Sequence, residues 1–136
     1  MKFVKNILWL FIVSLLLISC NKSKDKLSSN KSEGKQNIDY TNYKVEFIEL
    51  GSVNCIPCKQ MQPVMKNIEH KYKGQVKVTF YDVWKDNTPA KKYAIDLIPT
   101  QVFLDKDGKE IMRHQGFFAE EEIDKFLQSQ GLNIPD

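Results

Sequence analysis

The sequence is poor in cysteine and histidine, and it has no apolar run of membrane-spanning length. Three cysteines and two histidines in 136 residues are too few for a disulfide framework, and they leave few donors for a four-ligand zinc site. The apolar stretch at residues 7–18 is twelve residues long and is interrupted only by Ser14, whereas a membrane-spanning helix needs about 20 residues. The sequence also has no glycine-rich nucleotide loop and no Ser-His-Asp set.

A strong charge of one sign is absent from most of the chain. The formal net charge is +3, but residues 40–136 carry 13 basic and 14 acidic side chains, so the positive excess lies in residues 1–39. The part expected to fold therefore has no basic surface that would indicate nucleic-acid binding. With 42% hydrophobic and 27% charged residues, the composition is that of an ordinary globular protein with room for one domain.

The first 20 residues have the pattern of a lipoprotein signal peptide. Lys2 and Lys5 precede the apolar stretch, and residues 17–20, Leu-Ile-Ser-Cys, resemble the bacterial lipobox, whose cysteine becomes the lipid-modified first residue of the mature protein. We predict a signal peptide at residues 1–19, a diacylglycerol anchor on Cys20, and a location outside the cytoplasm, on the periplasmic side of a membrane or at the cell surface. A truncated membrane span or a buried core helix is the alternative for the apolar stretch.

The next segment predicts a flexible polar tether at residues 20–39. It is rich in Lys, Ser, Asn and Asp, and it has too few apolar side chains to bury the surface that folding requires. The pattern changes at about residue 40, and we predict one domain at residues 40–136.

Strand and helix patterns alternate within this domain. Apolar runs and period-two alternation predict strands, and apolar residues at three-to-four spacing predict helices, the first of which Pro63 is expected to kink. The order β-α-β-α-β-β-α predicts an α/β fold with a central mixed sheet flanked by helices, in which helix-separated strands pair in parallel and a hairpin adds an antiparallel edge. The expected strands are residues 44–50, 76–80, 101–104 and 110–114, and the expected helices are residues 58–72, 88–93 and 120–130.

A Cys-Ile-Pro-Cys motif at residues 55–58 lies between the first predicted strand and the first long helix. The helix dipole and the unpaired N–H groups of a first helical turn stabilise a thiolate there, and the spacing lets both sulfurs meet within one turn. We expect Cys55 to be the more exposed, attacking thiol and Cys58 to be the deeper thiol that resolves a mixed disulfide.

Three other uses of a CxxC pair stay open from the residues alone. Half a zinc site would need two further ligands, and only His70, in an exposed stretch, and His114, on an edge strand, are available. A copper-handling dithiol and a purely structural disulfide are the other two. We expect no bound metal and no cofactor beyond the Cys55–Cys58 disulfide.

The domain resembles the thioredoxin family over most of residues 44–130. The family's active-site segment is Trp-Cys-Gly-Pro-Cys-Lys, followed by a proline five residues after the second cysteine. Asn54 and Ile56 replace the tryptophan and the glycine, which changes the surface beside the nucleophile. The residues that match are Cys55, Pro57, Cys58, Lys59 and Pro63.

The resemblance extends to residues 93–100, which match the segment that carries the family's cis-proline. It implies that Pro99 is cis, that its loop lies beside the dithiol, and that the backbone of Ile98 pairs with an extended substrate strand, with Ile56 and Pro57 forming the rest of the substrate contact. Gly116 also matches a family glycine. Without the CxxC motif, Pro99 would read as an ordinary proline at the start of a strand.

The resemblance also gives Glu49 a candidate role, because the family holds a buried, proton-transferring aspartate six residues before the first cysteine. A buried carboxyl under the dithiol could accept the Cys58 proton. Alternatively, Glu49 points to solvent from a half-exposed strand.

A thiol–disulfide oxidoreductase that reduces substrate proteins is the expected function. Strongly oxidising relatives carry histidine before the second cysteine, and Pro57 offers no such donor. The resemblance implies a membrane thiol carrier of the DsbD/CcdA type as the electron donor, with apocytochrome c or other envelope proteins as acceptors, and a monomer. A copper metallochaperone and a disulfide oxidase or isomerase are the alternatives.

Overall fold

The computed structural model describes residues 38–135 of the chain. The predicted signal peptide, Cys20 and residues 21–37 of the predicted tether lie outside the described residues, and they stay predictions. Within residues 38–135, no helix is both long enough and apolar enough to cross a membrane. The strands are β1 (Val45–Gly51), β2 (Val76–Asp82), β3 (Thr100–Asp105) and β4 (Glu110–Gln115), and the helices are α1 (Ile56–Lys71), α2 (Thr88–Lys92) and α3 (Glu120–Ser129).

The four strands form one mixed sheet in the spatial order β2-β1-β3-β4. β1 and β2 are parallel, whereas β3 is antiparallel to both β1 and β4. The predicted element order and the mixed sheet flanked by helices are therefore confirmed.

The expectation of parallel pairing across every helix is wrong for β3. β3 is antiparallel to its neighbour β1 and therefore also runs opposite to β2, so α2 does not form part of a parallel crossover. β3 therefore begins at the edge where β1 and β2 end, and Thr100 pairs with Leu50. This reversal places the start of β3 next to the end of β1.

Four helix boundaries differ from the sequence prediction by one or two residues. α1 begins at Ile56 rather than at residue 58, because Pro57 fits the first turn, where its missing N–H has no partner to lose. The three helices each end one residue before the predicted boundary, at Lys71, Lys92 and Ser129. Pro63 lies inside α1 and is exposed, and the kink expected there stays a prediction.

The sheet is covered on both faces, and β1 supplies side chains to both. Phe47 belongs to the larger core, which α1 and α3 cover, whereas Ile48 and Leu50 belong to a smaller core that packs against α2. Because strand side chains alternate, Glu49 and Gly51 lie on the α1 face together with Phe47.

The chain enters the domain beside the C-terminal end of α1. There the hydroxyl of Tyr40 donates a hydrogen bond to Glu69, in the last turn of the helix. The chain before β1 is therefore attached at the end of α1 that lies away from the CxxC motif.

Phe103 joins the sheet to α3, and we predict that its truncation costs more stability than any surface change. Its ring is fully buried and lies 4.6 Å from the ring of Phe47 and 5.1 Å from that of Phe126, centroid to centroid. Phe103→Ala should lower the free energy of unfolding by about 3–5 kcal/mol in urea denaturation. Phe117→Ala, the same change at a ring that is 48% exposed, should cost less than about 1 kcal/mol, and equal losses in the two variants would contradict this view of the core.

Candidate active site

The CxxC motif caps the N-terminus of α1. Cys55 is the N-cap residue, and its sulfur accepts a hydrogen bond of 3.4 Å from the backbone N–H of Cys58. The two cysteines form a disulfide, with their Cα atoms 5.2 Å apart. Cys55 is 8% exposed and Cys58 is fully buried, so the structure places the two sulfurs at the relative depths that the sequence predicts.

Gly51 lets this first helical turn lie directly against the end of β1. A Cβ atom at position 51 would be 3.2 Å from both the Cβ and the Sγ of Cys58, which is closer than most side-chain contacts allow. The sequence prediction missed this residue, although a glycine at the end of an apolar strand is a known signal of close backbone approach.

Glu49 lies in the interior, on the same face of β1 as Gly51. Its side chain is fully buried, and its burial raises the pKa of the carboxyl to about 8, against a smaller opposing effect of a hydrogen bond from Gln101. The alternative in which Glu49 points to solvent is therefore wrong. The role of Glu49 in proton transfer stays a prediction.

Gln101 is a site residue that the sequence prediction did not find. It is the register partner of Glu49 on β3, and it is fully buried. Its Nε2 donates to Glu49 Oε2 at 2.9 Å and to the backbone oxygen of Gly116 at 3.1 Å. The available signal was an amide side chain in an otherwise apolar strand, but its partner depends on the strand register, which local sequence does not give.

The loop before β3 reaches the same edge of the sheet as the dithiol. The Ile98–Pro99 peptide bond is cis, as the resemblance implies, and the oxygen of Pro99 accepts a hydrogen bond of 2.8 Å from the N–H of Gly116. Ile98 is half-buried and Pro99 is buried. The structure thus brings the loop and the CxxC motif together, since Thr100 pairs with Leu50 just before the active-site turn.

Exposed apolar side chains surround this edge of the sheet. Trp84 follows β2 and is 65% exposed, and Ile56 beside the nucleophile is 74% exposed. Of two neighbouring phenylalanines after β4, Phe118 is in the core and Phe117 is exposed. We call the exposed apolar side chains at this edge the apolar rim. Its members are Val53, Ile56, Trp84, Leu97 and Phe117.

The two histidines lie on different elements, His70 in α1 and His114 in β4. His70 is exposed in the last turn of α1, and His114 stacks on Phe118 with ring centroids 4.0 Å apart. Among residues 38–135, no group of three or more His, Cys, Asp or Glu side chains is arranged to hold a metal ion. The CxxC pair therefore has no zinc-ligand set in the part of the chain that the structure describes.

Comparison with known proteins points to one family. The family model described as "Thioredoxin" matches residues 26–129. Thioredoxin from Staphylococcus aureus is 29% identical over 83 residues, which are 61% of this chain and 79% of that protein. A mutant thioredoxin from Halobacterium salinarum has a TM-score of 0.58 at 22% identity, covering 68% of this chain and 80% of that one. The germline-specific thioredoxin Deadhead from Drosophila melanogaster has a TM-score of 0.57 at 24% identity, covering 63% and 80%.

The buried carboxyl predicts that the oxidised domain loses stability as the pH rises. The pKa of Glu49 is about 8 in the fold against 4.5 ordinarily, so between these values the folded state keeps a proton that the unfolded state has lost. The stabilisation is fully present below about pH 4.5 and is lost as the pH rises through 8, a change on the order of 3–5 kcal/mol.

Urea unfolding of the wild type and of Glu49→Gln at pH 5 and pH 9 measures this change. The variant cannot ionise at position 49, so the wild type should fall relative to it at the higher pH. A stability difference between the two proteins that is the same at both pH values would show that the carboxyl does not titrate as described.

Proposed function

Because the chain belongs to the thioredoxin family, we propose that it is an extracytoplasmic thiol–disulfide oxidoreductase that reduces disulfide bonds in substrate proteins through Cys55 and Cys58. The observation that carries the proposal is the redox pair itself, a disulfide at the N-terminus of α1 in which Cys55 is the less buried cysteine. Dithiol exchange needs no cofactor, because the two electrons come from the cysteines.

The N-terminus of α1 suits Cys55 to the role of nucleophile. In the disulfide form the N–H of Cys58 donates to the sulfur of Cys55, and the positive end of the helix dipole at this position favours a thiolate. The first turn of α1 has no acidic residue that would oppose this negative charge. The thiolate attacks a substrate disulfide, and Cys58 then displaces the substrate by attacking the Cys55 sulfur.

The apolar rim supports a protein substrate rather than a small polar one. Its five exposed side chains provide a surface on which an unfolded or loosely folded apolar segment can bind. The family resemblance implies that the backbone of Ile98, beside cis-Pro99, pairs with an extended strand from that segment. Ile56 stands where the family has glycine, so its side chain is expected to restrict the substrates that reach Cys55.

The direction of exchange and the location rest on the sequence. Strongly oxidising relatives carry a histidine before the second cysteine, and its imidazole stabilises the thiolate and hence the reduced form. This chain has Pro57 at that position, which offers no such donor. The absence of this donor favours a protein that reduces its substrates. A lipid on Cys20 would hold the domain at a membrane outside the cytoplasm. A reductase there needs electrons from across the membrane, and a membrane thiol carrier fits that need.

Substitution of each cysteine by serine separates their roles. Cys55→Ser should reduce insulin turnover to background because the nucleophile is gone, and Cys58→Ser should accumulate mixed disulfides because nothing resolves them. Cys20→Ser is the matched control: it should keep insulin reduction and lose the protein from the membrane fraction. Retained activity in Cys55→Ser would overturn the proposed function, and membrane retention of Cys20→Ser would overturn the anchor.

The equilibrium potential of the Cys55–Cys58 couple tests the direction. Titration against glutathione should give a value near about −270 mV, in the range of reducing thioredoxins. A value near about −120 mV, in the range of strong oxidants, would support the oxidase alternative instead.

A further inference from the structure

A polar pair is buried under the active site, where apolar side chains would pack at lower cost. Glu49 and Gln101 face each other across β1 and β3, and both are fully buried. Burying a carboxyl or an amide costs free energy unless each polar atom finds a partner. Glu49 Oε1 and Gln101 Oε1 are buried and have no hydrogen-bond partner among residues 38–135. A pair that is only half satisfied needs an explanation other than stability.

The hydrogen bonds of Gln101 hold Glu49 by one oxygen only. The Nε2 group donates both to Glu49 Oε2 and to the oxygen of Gly116, and this second bond fixes the amide against the turn after β4. Gly116 in turn donates to the oxygen of Pro99. Oε1 is thereby left as the oxygen of Glu49 that can accept a further proton.

The oxygen without a partner, Glu49 Oε1, belongs to a residue on the same face of β1 as Gly51, which packs against Cys58. Gly51 contacts Cys58 directly, and Glu49 is two residues before it on the same face, about 7 Å back along the strand. Because Cys58 is fully buried, its thiol has little access to bulk water as a proton acceptor.

The other residues around Glu49 in the described part of the chain do not offer it a second hydrogen-bond donor in place of Gln101. On β2 its register partner is the apolar Phe80, and Asp82 lies further along, opposite Gly51. On β4 the next residue in the row is His114, whose ring stacks on Phe118 and whose Nε2 lies 3.1 Å from the oxygen of Phe117. α1 brings Cys58, and α3 contributes apolar side chains to the core on this face.

We propose that Gln101 is a positioning residue that holds Glu49 through Oε2 so that Oε1 receives the Cys58 proton when the mixed disulfide is resolved. The proposal rests on the proposed function. In this step the S–H bond of Cys58 breaks and its proton passes to Glu49, while the new thiolate forms the bond to the Cys55 sulfur. The substrate sulfur leaves with the electron pair of the mixed disulfide and takes a proton from solvent.

The first test measures the Glu49 carboxyl directly in the oxidised protein by carbon-13 NMR titration. The amide donor favours the ionised carboxyl, so Gln101→Leu should raise the pKa of Glu49 above about 8, by about one pH unit. Gln62→Leu, the same change at an exposed position of α1, should leave the titration unchanged. An unchanged titration in Gln101→Leu would overturn the proposal. If that variant does not fold, Gln101→Met gives the same test with an unbranched side chain.

The second test asks whether Gln101 acts through Glu49. Stopped-flow resolution of a preformed mixed disulfide on Cys55 should be about tenfold slower at pH 7 in Gln101→Leu, with its pH profile moved to higher pH. In a Glu49→Gln background, Gln101→Leu should cause no further slowing. Equal slowing in both backgrounds would show that Gln101 acts only through the Gly116 turn, and it would overturn the proposal.

The two tests also separate this proposal from the proposed function. The carboxyl titration needs no turnover, so it reports on Gln101 even if the protein reduces no disulfide. Inactivity of the wild type would overturn the reductase function, whereas an active wild type with an unaffected Gln101→Leu profile would overturn the positioning role alone.

Discussion

The contact between the first turn of α1 and the end of β1 is the constraint on which the rest of the site depends. Gly51 has no side chain, so Cys58 packs onto the strand and is cut off from solvent. That packing fixes Cys55 as the N-cap and leaves its sulfur nearer the surface. Gly51 therefore allows Cys58 to be the more buried of the two cysteines, and the roles proposed for them differ accordingly.

The topology of the sheet assembles the other parts of the site at the same edge. β1 and β2 end there because they are parallel, and β3 starts there because it runs antiparallel to β1. The cis-Pro99 loop, the turn at Gly116 and the apolar rim all follow from this arrangement. The buried Glu49–Gln101 pair lies one layer below, where two antiparallel strands bring the side chains together.

The sequence predicts the local features well and the long-range ones poorly. The order of elements, the CxxC motif at a strand-to-helix junction and the cis-proline loop are visible because each is encoded in a few adjacent residues. The predicted orientation of β3 was wrong because it depends on which strand β3 pairs with and in which direction, and local sequence does not give that pairing. Gln101 and Gly51 were missed because their importance comes from contacts with Glu49 and Cys58, and strand register and helix packing decide those contacts. The sequence left open whether the side chain of Glu49 is buried or points to solvent, and only the folded structure decides between the two.

The contact of Tyr40 with Glu69 has a consequence for how the domain would present itself to partners. α1 is 16 residues long, about 24 Å, with the disulfide at one end and the entry of the chain at the other. A domain held by the chain that precedes Ile38 therefore carries its reactive sulfur on the pole remote from the point of attachment. If the proposed anchor holds the domain at a membrane, a donor embedded in that membrane would reach Cys55 only after the domain rotates, whereas a partner on the opposite side would reach it directly. Delivery of electrons and delivery of substrate would then require two different orientations of one rigid body.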